Sequence, residues 1–498
     1  MSSYHIAVID VGKTNKKVLI YNSNLELEAV RVKRFEEIDR GDYSADDLSG
    51  FVEWMFEALH ELAASFDIRV ISVSTHGAAF VTVDANGQVA LPPVSYTTDP
   101  GPEFHGDFYR LCGDRIALQK ITATPDFNLL INLAKGIYFA QRRFPSEFQR
   151  VQKILPFPQY LGYLLTGRTT AEPTYTGNHS YLWDFGNHTW SMVADRLEIR
   201  PFLPDTFLRP WDILGTVLED IRERIGVRSG TVVTAGVHDS NASLLPYLLT
   251  RTGDFLLNST GTWCVIMKEA ERVNFADDEL GKVVFFNLDA FSRPVKTAIF
   301  MGGLEYGHYA RLFEDSGNPF PDSEMDISLY QQVIDEKKLF ILPGVVGGSG
   351  QFPESSARIV EGEHIYSLMD IEHGRAIPRF FHDSALGQAV LNLSLAVQTR
   401  VCFERVGMEV GLPIYTEGGF RRNNAYNALM ATLYPDSDFF LSDLKEATAF
   451  GAALLGKAAF EKLDPYALAP FVNINTIPVP KSNLRGLDSY AARFMELI

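Results

Sequence analysis

The chain has 498 residues, past the length at which one hydrophobic core usually stops growing, so two large domains are expected. Its 46% hydrophobic and 21% charged residues exclude a disordered chain. The net charge of −17 excludes DNA or another polyanion as the main partner, since a phosphate backbone needs a basic face. A small phosphate ligand is still allowed, because a few backbone amides and one lysine can hold it. The three cysteines, Cys112, Cys264 and Cys402, show no C-x-x-C spacing. That argues against a disulfide framework and a zinc site, and it fits a reducing compartment. The opening "MSSYHIAVID" has no basic stretch followed by an apolar core, and no apolar run reaches about 18 residues. A soluble cytoplasmic protein is the expectation, with no membrane partner.

In chain order, "YHIAVID" reads as a buried strand, "DVGKTN" as a turn and "KKVLIYN" as the returning strand, which together make a β-hairpin. Residues 46–64 place Leu48, Phe51, Met55, Leu59 and Leu62 at helical spacing, so an amphipathic helix is predicted. "VISVSTHGAAFVTVDANGQ" reads as strand, loop and strand, with a turn at Asn86-Gly87. Helical patterns dominate 127–166. The apolar run "TVVTAGV" closes the first half. "DFLLNSTGTWCVIM" then repeats the opening pattern of strand, small polar turn and strand. Helices are predicted at 384–408, 423–433 and 444–461. The pattern predicts two topologically related α/β domains, 1–248 and 249–498.

Four segments carry candidate chemistry. In "DVGKTNKK", Asp10 ends a strand and Gly12 permits a backbone conformation that other residues resist. Thr14 and Asn15 add short polar side chains, and exposed N–H groups in such a turn can cradle phosphate. Asp10 is a hard carboxylate able to hold Mg²⁺ directly or through water. A plain hairpin turn is the other reading. The letters GKT do not make a P-loop, because Ala7 occupies the required glycine position and the segment runs from strand to strand. "NSTGTW", with Gly261 and Thr262, is a second turn of the same type. In "GVHDSNASLL" a strand delivers Asp239 to its carboxyl end, directly before a helix, where ligands of α/β proteins gather. Asp239 is either an ionised proton acceptor or only a helix cap. In "YTEGGFRRNNAYN", Gly418 and Gly419 let a ring or sugar approach the backbone, or simply make a tight strand–helix connection. "LPGVVGGSGQFP" lacks the G-x-S-x-G spacing of a hydrolase, since Gln351 stands at the last position, and it reads as a loop.

Taken together and in this order, these pieces resemble the FGGY family of carbohydrate kinases, nearest its rhamnulokinase and fuculokinase branch. The resemblance runs through "DVGKTNKK", "STHGAAFVTVDANGQVALPPVSYTTDPG", "YLLTGRTTAEPTYTGNHSYLWDFGNHTW", "AGVHDSNAS", "NSTGTW", "EGGFRRNNAYN" and "EATAFGAALLGKAAF". It implies two actin/hexokinase (ribonuclease H-like) type domains around a central cleft. It also implies phosphoryl transfer from ATP, with Mg²⁺, to a ketose. Asp10 would anchor the metal and Gly12, Thr14 and Asn15 would line the phosphates. Asp239 would be the general base, and Gly261 and Thr262 would hold the γ-phosphate region. Gly418, Gly419 and Asn423 would border the adenosine, while His76, Gly77 and Asp239 would border the sugar. An actin-like nucleotide-binding regulator without sugar chemistry is the alternative. A homodimer is allowed by the sequence but not read from it. The chain departs from the family pattern at "SYTTDPG", where the acid is shifted to Asp99 and the arginine is missing. It departs again at Lys13, where a small residue is common, and at Gln159, where an acid is common. The second His-Asp-Ser tripeptide, with Asp383, reads as a helix cap, with Gln388 near the capping-box position.

Overall fold

The structure is a computed structural model that describes residues 4–322, 324–348 and 350–498. Ser349, at the centre of the glycine-rich "GGSG" loop, lies outside the described residues.

A strand apolar on both faces must be covered on both sides. "IAVIDV" is such a run, and it forms β1 (His5–Val11), buried from Ile6 to Val11. The chain returns antiparallel as β2 (Asn15–Asn22), with Asp10 opposite Lys17. β3 (Leu27–Arg34) extends this meander. β4 (Ile68–Thr75) joins β1 in parallel. β5 (Ile213–Thr216), β6 (Val232–Thr234) and β7 (Val237–His238) complete the sheet. Its order is β5-β6-β4-β1-β2-β3, with β7 also paired to β4. The run "TVVTAGV", expected as one strand, is divided. Gly236 sits between β6 and β7 at φ 88°, where only glycine is comfortable.

The second sheet uses β8 (Leu256–Thr260), β9 (Cys264–Glu269), β10 (Val284–Leu288), β11 (Pro294–Phe300), β12 (Ile414–Gly418), β13 (Phe439–Ser442) and β14 (Thr476–Pro478). Its order is β10-β11-β9-β8-β12-β13-β14. The antiparallel trio β1-β2-β3 recurs as β8-β9-β11. The parallel trio β1-β4-β6 recurs as β8-β12-β13, and each sheet is closed by an antiparallel strand, β5 or β14. The two expected α/β units therefore share one topology.

Helix α1 (Leu48–Ala63) buries all five of the spaced apolar residues and is capped by Asp47, which accepts from Gly50 N. The stretch 127–166 is less helical than expected. Leu133–Arg143 and Phe157–Thr166 are helices, but Lys153–Pro156 between them is a strand paired with Phe80–Val83. Residues 127–132 are held instead by buried Asn132. Its amide donates to Pro125 O and His179 O and accepts from Phe127 N. The helices Pro102–Cys112 and Arg115–Thr122 were not foreseen.

Helix α2 (Asp239–Thr250) leaves the first sheet directly after β7. In the second half, α3 (Gly302–Asp315), α4 (Ile327–Glu336), α5 (Ser384–Arg405), α6 (Asn424–Leu433) and α7 (Ala447–Glu461) follow. The last three match the expected helices. α7 does not stay with its own sheet. Ala449, Ala452 and Leu455 of α7 share a core with Ile6 and Val8 of β1, Val70 of β4 and Leu245 of α2. The first sheet thereby gains the second cover that β1 requires.

Two predictions follow from these contacts. Asp383 is the N-cap of α5, accepting from Leu386 N. Gln388 lies beyond the third helical position and is no part of that cap. Asp383→Asn should leave the melting temperature and turnover unchanged, whereas Asp383→Ala should cost about 1 kcal/mol of stability in urea titration. Gly451 of α7 abuts the Ala242 carbonyl of α2 so closely that a Cβ would overlap it. Gly451→Ala should destabilise by about 1–3 kcal/mol in the same assay.

Candidate active site

The second hairpin turn is the floor of a cleft of about 820 Å³. Gly261, Thr262, Gly419 and Asn423, all expected near the nucleotide, line it. Gly418 stands one residue behind, at φ 80° and ψ −147°, pressed on the Thr260 carbonyl so that a Cβ would overlap it. No L side chain suits either constraint. Asn423 also has a local task. It caps α6 by accepting from Tyr426 N and donates to Asn392 Oδ1 at 2.7 Å. Gly303 is a third glycine of this cleft that the sequence reading passed over. Its Cβ would overlap the Gly261 carbonyl, so the start of α3 can lie flat against the turn. The pair Gly302-Gly303 at a helix start was the available signal. Tyr306, Phe320, Tyr330 and Phe420 give the cleft an aromatic wall, and Arg311 and Arg422 give it cations.

The first hairpin does not line this cleft. Thr14 and Asn15 are exposed at its turn, as a phosphate-binding turn requires. Gly12 is not there for a left-handed backbone, contrary to expectation. A Cβ would stand only 3.2 Å from Asn15 O, so the constraint is space inside a tight turn. Lys16 stiffens the turn from below, donating to Gly12 O at 2.6 Å and Lys13 O at 2.5 Å.

Asp10 is buried at the end of β1. Burial pushes its carboxyl up to about 7; Lys17 pulls it down, while Asp239 and Glu446 push it further up. Lys17 is the cross-strand partner of Asp10, so both side chains project from one face of the sheet. Its Nζ lies 2.5 Å from Oε2 of Glu446, the residue preceding α7. This ion pair ties the first hairpin to the second half of the chain. The Asp10–Lys17 register was implicit in the hairpin, but Glu446 could not be found from spacing, since 429 residues separate it from Lys17.

Asp239 is the first residue of α2 and does not cap it. His238 does, with Nδ1 accepting from Ser240 N at 3.2 Å. His238 is buried, and burial holds its ring down to about 3, so it is neutral and its contact with Asp239 at 3.3 Å is no ion pair. Its other ring nitrogen, Nε2, lies 2.6 Å from the Asn178 side-chain Nδ2. Burial raises the Asp239 carboxyl to about 6, against the Ser240 N–H and hydroxyl, which lower it. The side chain keeps 30% of its surface exposed. It is a carboxylate set among protein atoms yet reachable from outside.

His76 and Gly77 lie beside it. His76 is buried, with Nδ1 at 2.9 Å from Gly77 O, and burial together with Lys13 and Lys16 keeps it neutral. A Cβ on Gly77 would stand 2.8 Å from His238 Nε2 and 3.0 Å from His179, so Gly77 lets the two histidines close in. Tyr96 packs edge-on to His76 at 5.6 Å, and the Asp239 charge helps push its hydroxyl pKa up, after burial. Asn178, His179 and Tyr96 were therefore missed, although their segments were singled out. Asp99 is turned away; it caps a turn by accepting from Gly101 N at 2.9 Å. Gln159 is buried and donates to Ala235 O.

The paired carboxylates fit a divalent cation in their chemistry. Asp10 and Asp239 raise the field on one side of the hairpin, and Lys17 offsets Asp10 only, so an added cation would relieve both. Among the described residues, no three His, Cys, Asp or Glu side chains gather as a self-sufficient metal cage. No helix of the described residues is long and apolar enough to cross a membrane.

The fold belongs to the actin/hexokinase (ribonuclease H-like) class, as a solved relative shows. A carbohydrate kinase from Novosphingobium aromaticivorans superposes with a TM-score of 0.78 over 100% of this chain and 99% of its own, at 24% identity. The family descriptions are more specific. Residues 5–246 match the N-terminal domain of the FGGY family of carbohydrate kinases, and residues 252–464 match a carbohydrate kinase FGGY C-terminal domain. The chain belongs to the FGGY family of carbohydrate kinases and is a sugar kinase. A rhamnulokinase of Oceanobacillus iheyensis is 22% identical over 92% of this chain and 93% of its own length. An L-fuculokinase of Salmonella typhi is 23% identical over 54% of this chain and 57% of its own.

The acid limb of the pH profile tests the carboxylates. If Asp10 holds a metal and Asp239 takes a proton, both must be ionised, and burial raises them to about 7 and about 6. As the two groups are coupled, kcat/KM should fall through this range and drop at least about tenfold per unit below pH 6. A profile flat down to about pH 5 would remove the raised carboxylates from the chemistry.

Proposed function

We propose that the chain transfers the γ-phosphoryl group of MgATP to a terminal hydroxyl of a ketose of the rhamnulose, fuculose or pentulose type. The observation that carries this reading is Asp239. It is a carboxylate raised to about 6, part exposed at a helix start, and Asp10, on the far side of β4, is close enough to feel its charge. The names of the related rhamnulokinase and L-fuculokinase support the substrate class.

In this reading residues 1–248 hold the sugar and the base, and residues 249–498 hold the nucleotide. MgATP, when bound, supplies the phosphoryl group and the charge that Asp10 would anchor. The cleft-lining glycines at 261 and 419 let phosphates and ribose reach backbone N–H groups, as phosphoryl transfer relies on positioning and charge neutralisation. The aromatic wall of the cleft suits a purine ring. Gly12, Thr14 and Asn15 meet the phosphates from the other side. Lys17 faces the same charge as Asp10. Asp239 accepts a hydrogen bond from the acceptor hydroxyl, orients it, and takes its proton as the new P–O bond forms. Such a base is worth roughly 10²–10⁴ in rate. His76, Gly77 and the neutral His238 shape the acceptor side. The reduced, buried cysteines suit a cytoplasmic enzyme.

The test is ADP release over a panel of ketoses, pentuloses and polyols, for the wild type and Asp239→Asn. Turnover with at least one sugar is expected, and the variant should lose about 10²–10⁴ in kcat while ATP still raises its melting temperature. Sugar-independent ADP release alone would refute the kinase reading. Loss of ATP protection in the variant would make Asp239 structural.

A further inference from the structure

Lys13 is the residue by which this chain departs from its family in the first hairpin turn, and it does not point at the nucleotide cleft. Its ammonium has three N–H donors. All three are taken: Asp46 Oδ1 at 2.7 Å, Ser95 Oγ at 2.6 Å and Glu37 Oε1 at 2.8 Å. The same ammonium stands 4.6 Å from the centroid of the Tyr96 ring. Three separate stretches, the turn at 12–14, the segment 37–46 and the segment 95–97, are thereby pinned to one cation.

Ser95 to Thr97 belong to the "SYTTDPG" segment. Ser95 and Thr97 both donate to Glu37. Burial alone would raise the Glu37 carboxyl, but Lys13 and these hydroxyls outweigh it and hold the group below its ordinary range. Glu37 and Asp46 keep 30% and 26% of their side-chain surface open. Two carboxylates against one ammonium leave the cluster with a net charge of about −1 at neutral pH. Lys16, the next cation, is turned onto the carbonyls of Gly12 and Lys13; its charge offsets part of that excess, since Asp46 and Glu37 act on it, but its protons are committed. Tyr96 carries the cluster to the acceptor side, through its contact with His76 and its place in the field of Asp239.

We propose that Lys13 is a specificity-determining residue for the phosphoryl acceptor. With Glu37 and Asp46 it builds an anionic, hydrogen-bond-accepting wall beside Tyr96 that takes a neutral polyhydroxylated sugar and turns away sugar acids. Sugar hydroxyls donate into the open carboxylate edges. A substrate carboxylate would find no uncommitted proton on Lys13 and would face Glu37, Asp46 and Asp239. Lys13 acts through Tyr96 and the two acids; it is a positioning residue and takes no part in proton transfer.

This inference rests on the sugar-kinase reading, and the experiment separates the two. Wild type, Lys13→Met, Lys13→Arg and the double variant Glu37→Gln/Asp46→Asn are assayed with a turned-over neutral sugar and with its carboxylic acid counterpart. KM for ATP and the ATP-induced rise in melting temperature are followed in parallel. The wild type should favour the neutral sugar by about 100-fold in kcat/KM, as like charges across a wall repel strongly. Lys13→Met should raise KM for the sugar about tenfold or more, with KM for ATP changed by less than about twofold. Lys13→Arg should stay within about threefold of wild type, because the charge and two donors remain. The double variant should narrow the discrimination against the acid by about tenfold. A wild type that prefers the sugar acid overturns the proposal. So does a folded Lys13→Met with unchanged sugar KM. If neither class supports turnover while ATP still protects, the kinase reading itself fails and the specificity claim falls with it.

Discussion

The contact on which the rest of the molecule depends is the crossing of α2 and α7. At Gly451 the two helices approach to backbone distance, because no Cβ intervenes between them. That crossing holds a helix of the second half against the first sheet and supplies the second cover of β1. It also places both helix starts. α2 begins at Asp239, and α7 begins after Glu446, whose carboxylate meets Lys17. Packing near the starts of two helices thus sets the distance between the charges there. Further along α2, Tyr247 donates to Glu417, the residue before the Gly418-Gly419 pair, at 3.0 Å. One helix therefore carries Asp239, shares a core with β1 and reaches the residue before the Gly418-Gly419 pair.

Burial does most of the electrostatic work. Asp10, Asp239 and Glu417 all sit among protein atoms, and burial is the largest cause of the upward shift at each. The three differ in what surrounds them. Asp10 has Lys17, and Glu417 has a ring of hydroxyls. Asp239 has one serine and an open side. A carboxylate that is raised, unpaired by any cation and still exposed is the one best suited to accept a proton near neutral pH. The neighbouring His238 does not compete for that role, because burial keeps it neutral and its Nδ1 is spent on the helix cap.

What could be read from the chain was what is local. The two hairpins, α1 with its five buried positions, and α5, α6 and α7 were all legible, because periodicity and turn chemistry act within a dozen residues. So was the difference between the two His-Asp-Ser copies, since the strand before Asp239 and the long helix after Asp383 are themselves local patterns. The stretch 127–166 was not legible. Its broken helices are decided by the buried Asn132 network and by the pairing of Lys153–Pro156 with a strand some 70 residues earlier. The site was legible in the same measure. Gly261, Thr262, Gly419 and Asn423 converge on one cleft, but Glu446, Tyr96 and His179 join only through tertiary contacts. Gly12 was named for a sound chemical reason that turned out not to be the operative one, as steric room and not backbone sign selects it.

The two hairpins share a grammar, yet they are not equivalent devices. The second turn, with Gly261 and Thr262, has no cation in it and leans on glycines from α3 and β12. The first hairpin carries three lysines within five residues, Lys13, Lys16 and Lys17. Alternation along the strand sends them to different partners: Lys16 back under the turn, Lys17 to Glu446, and Lys13, in the turn itself, to Glu37, Asp46 and Ser95. Five residues thus join the first turn to the second half of the chain on one side and to Glu37, Asp46 and Ser95 on the other. A turn tied in both directions cannot move without breaking contacts on both sides.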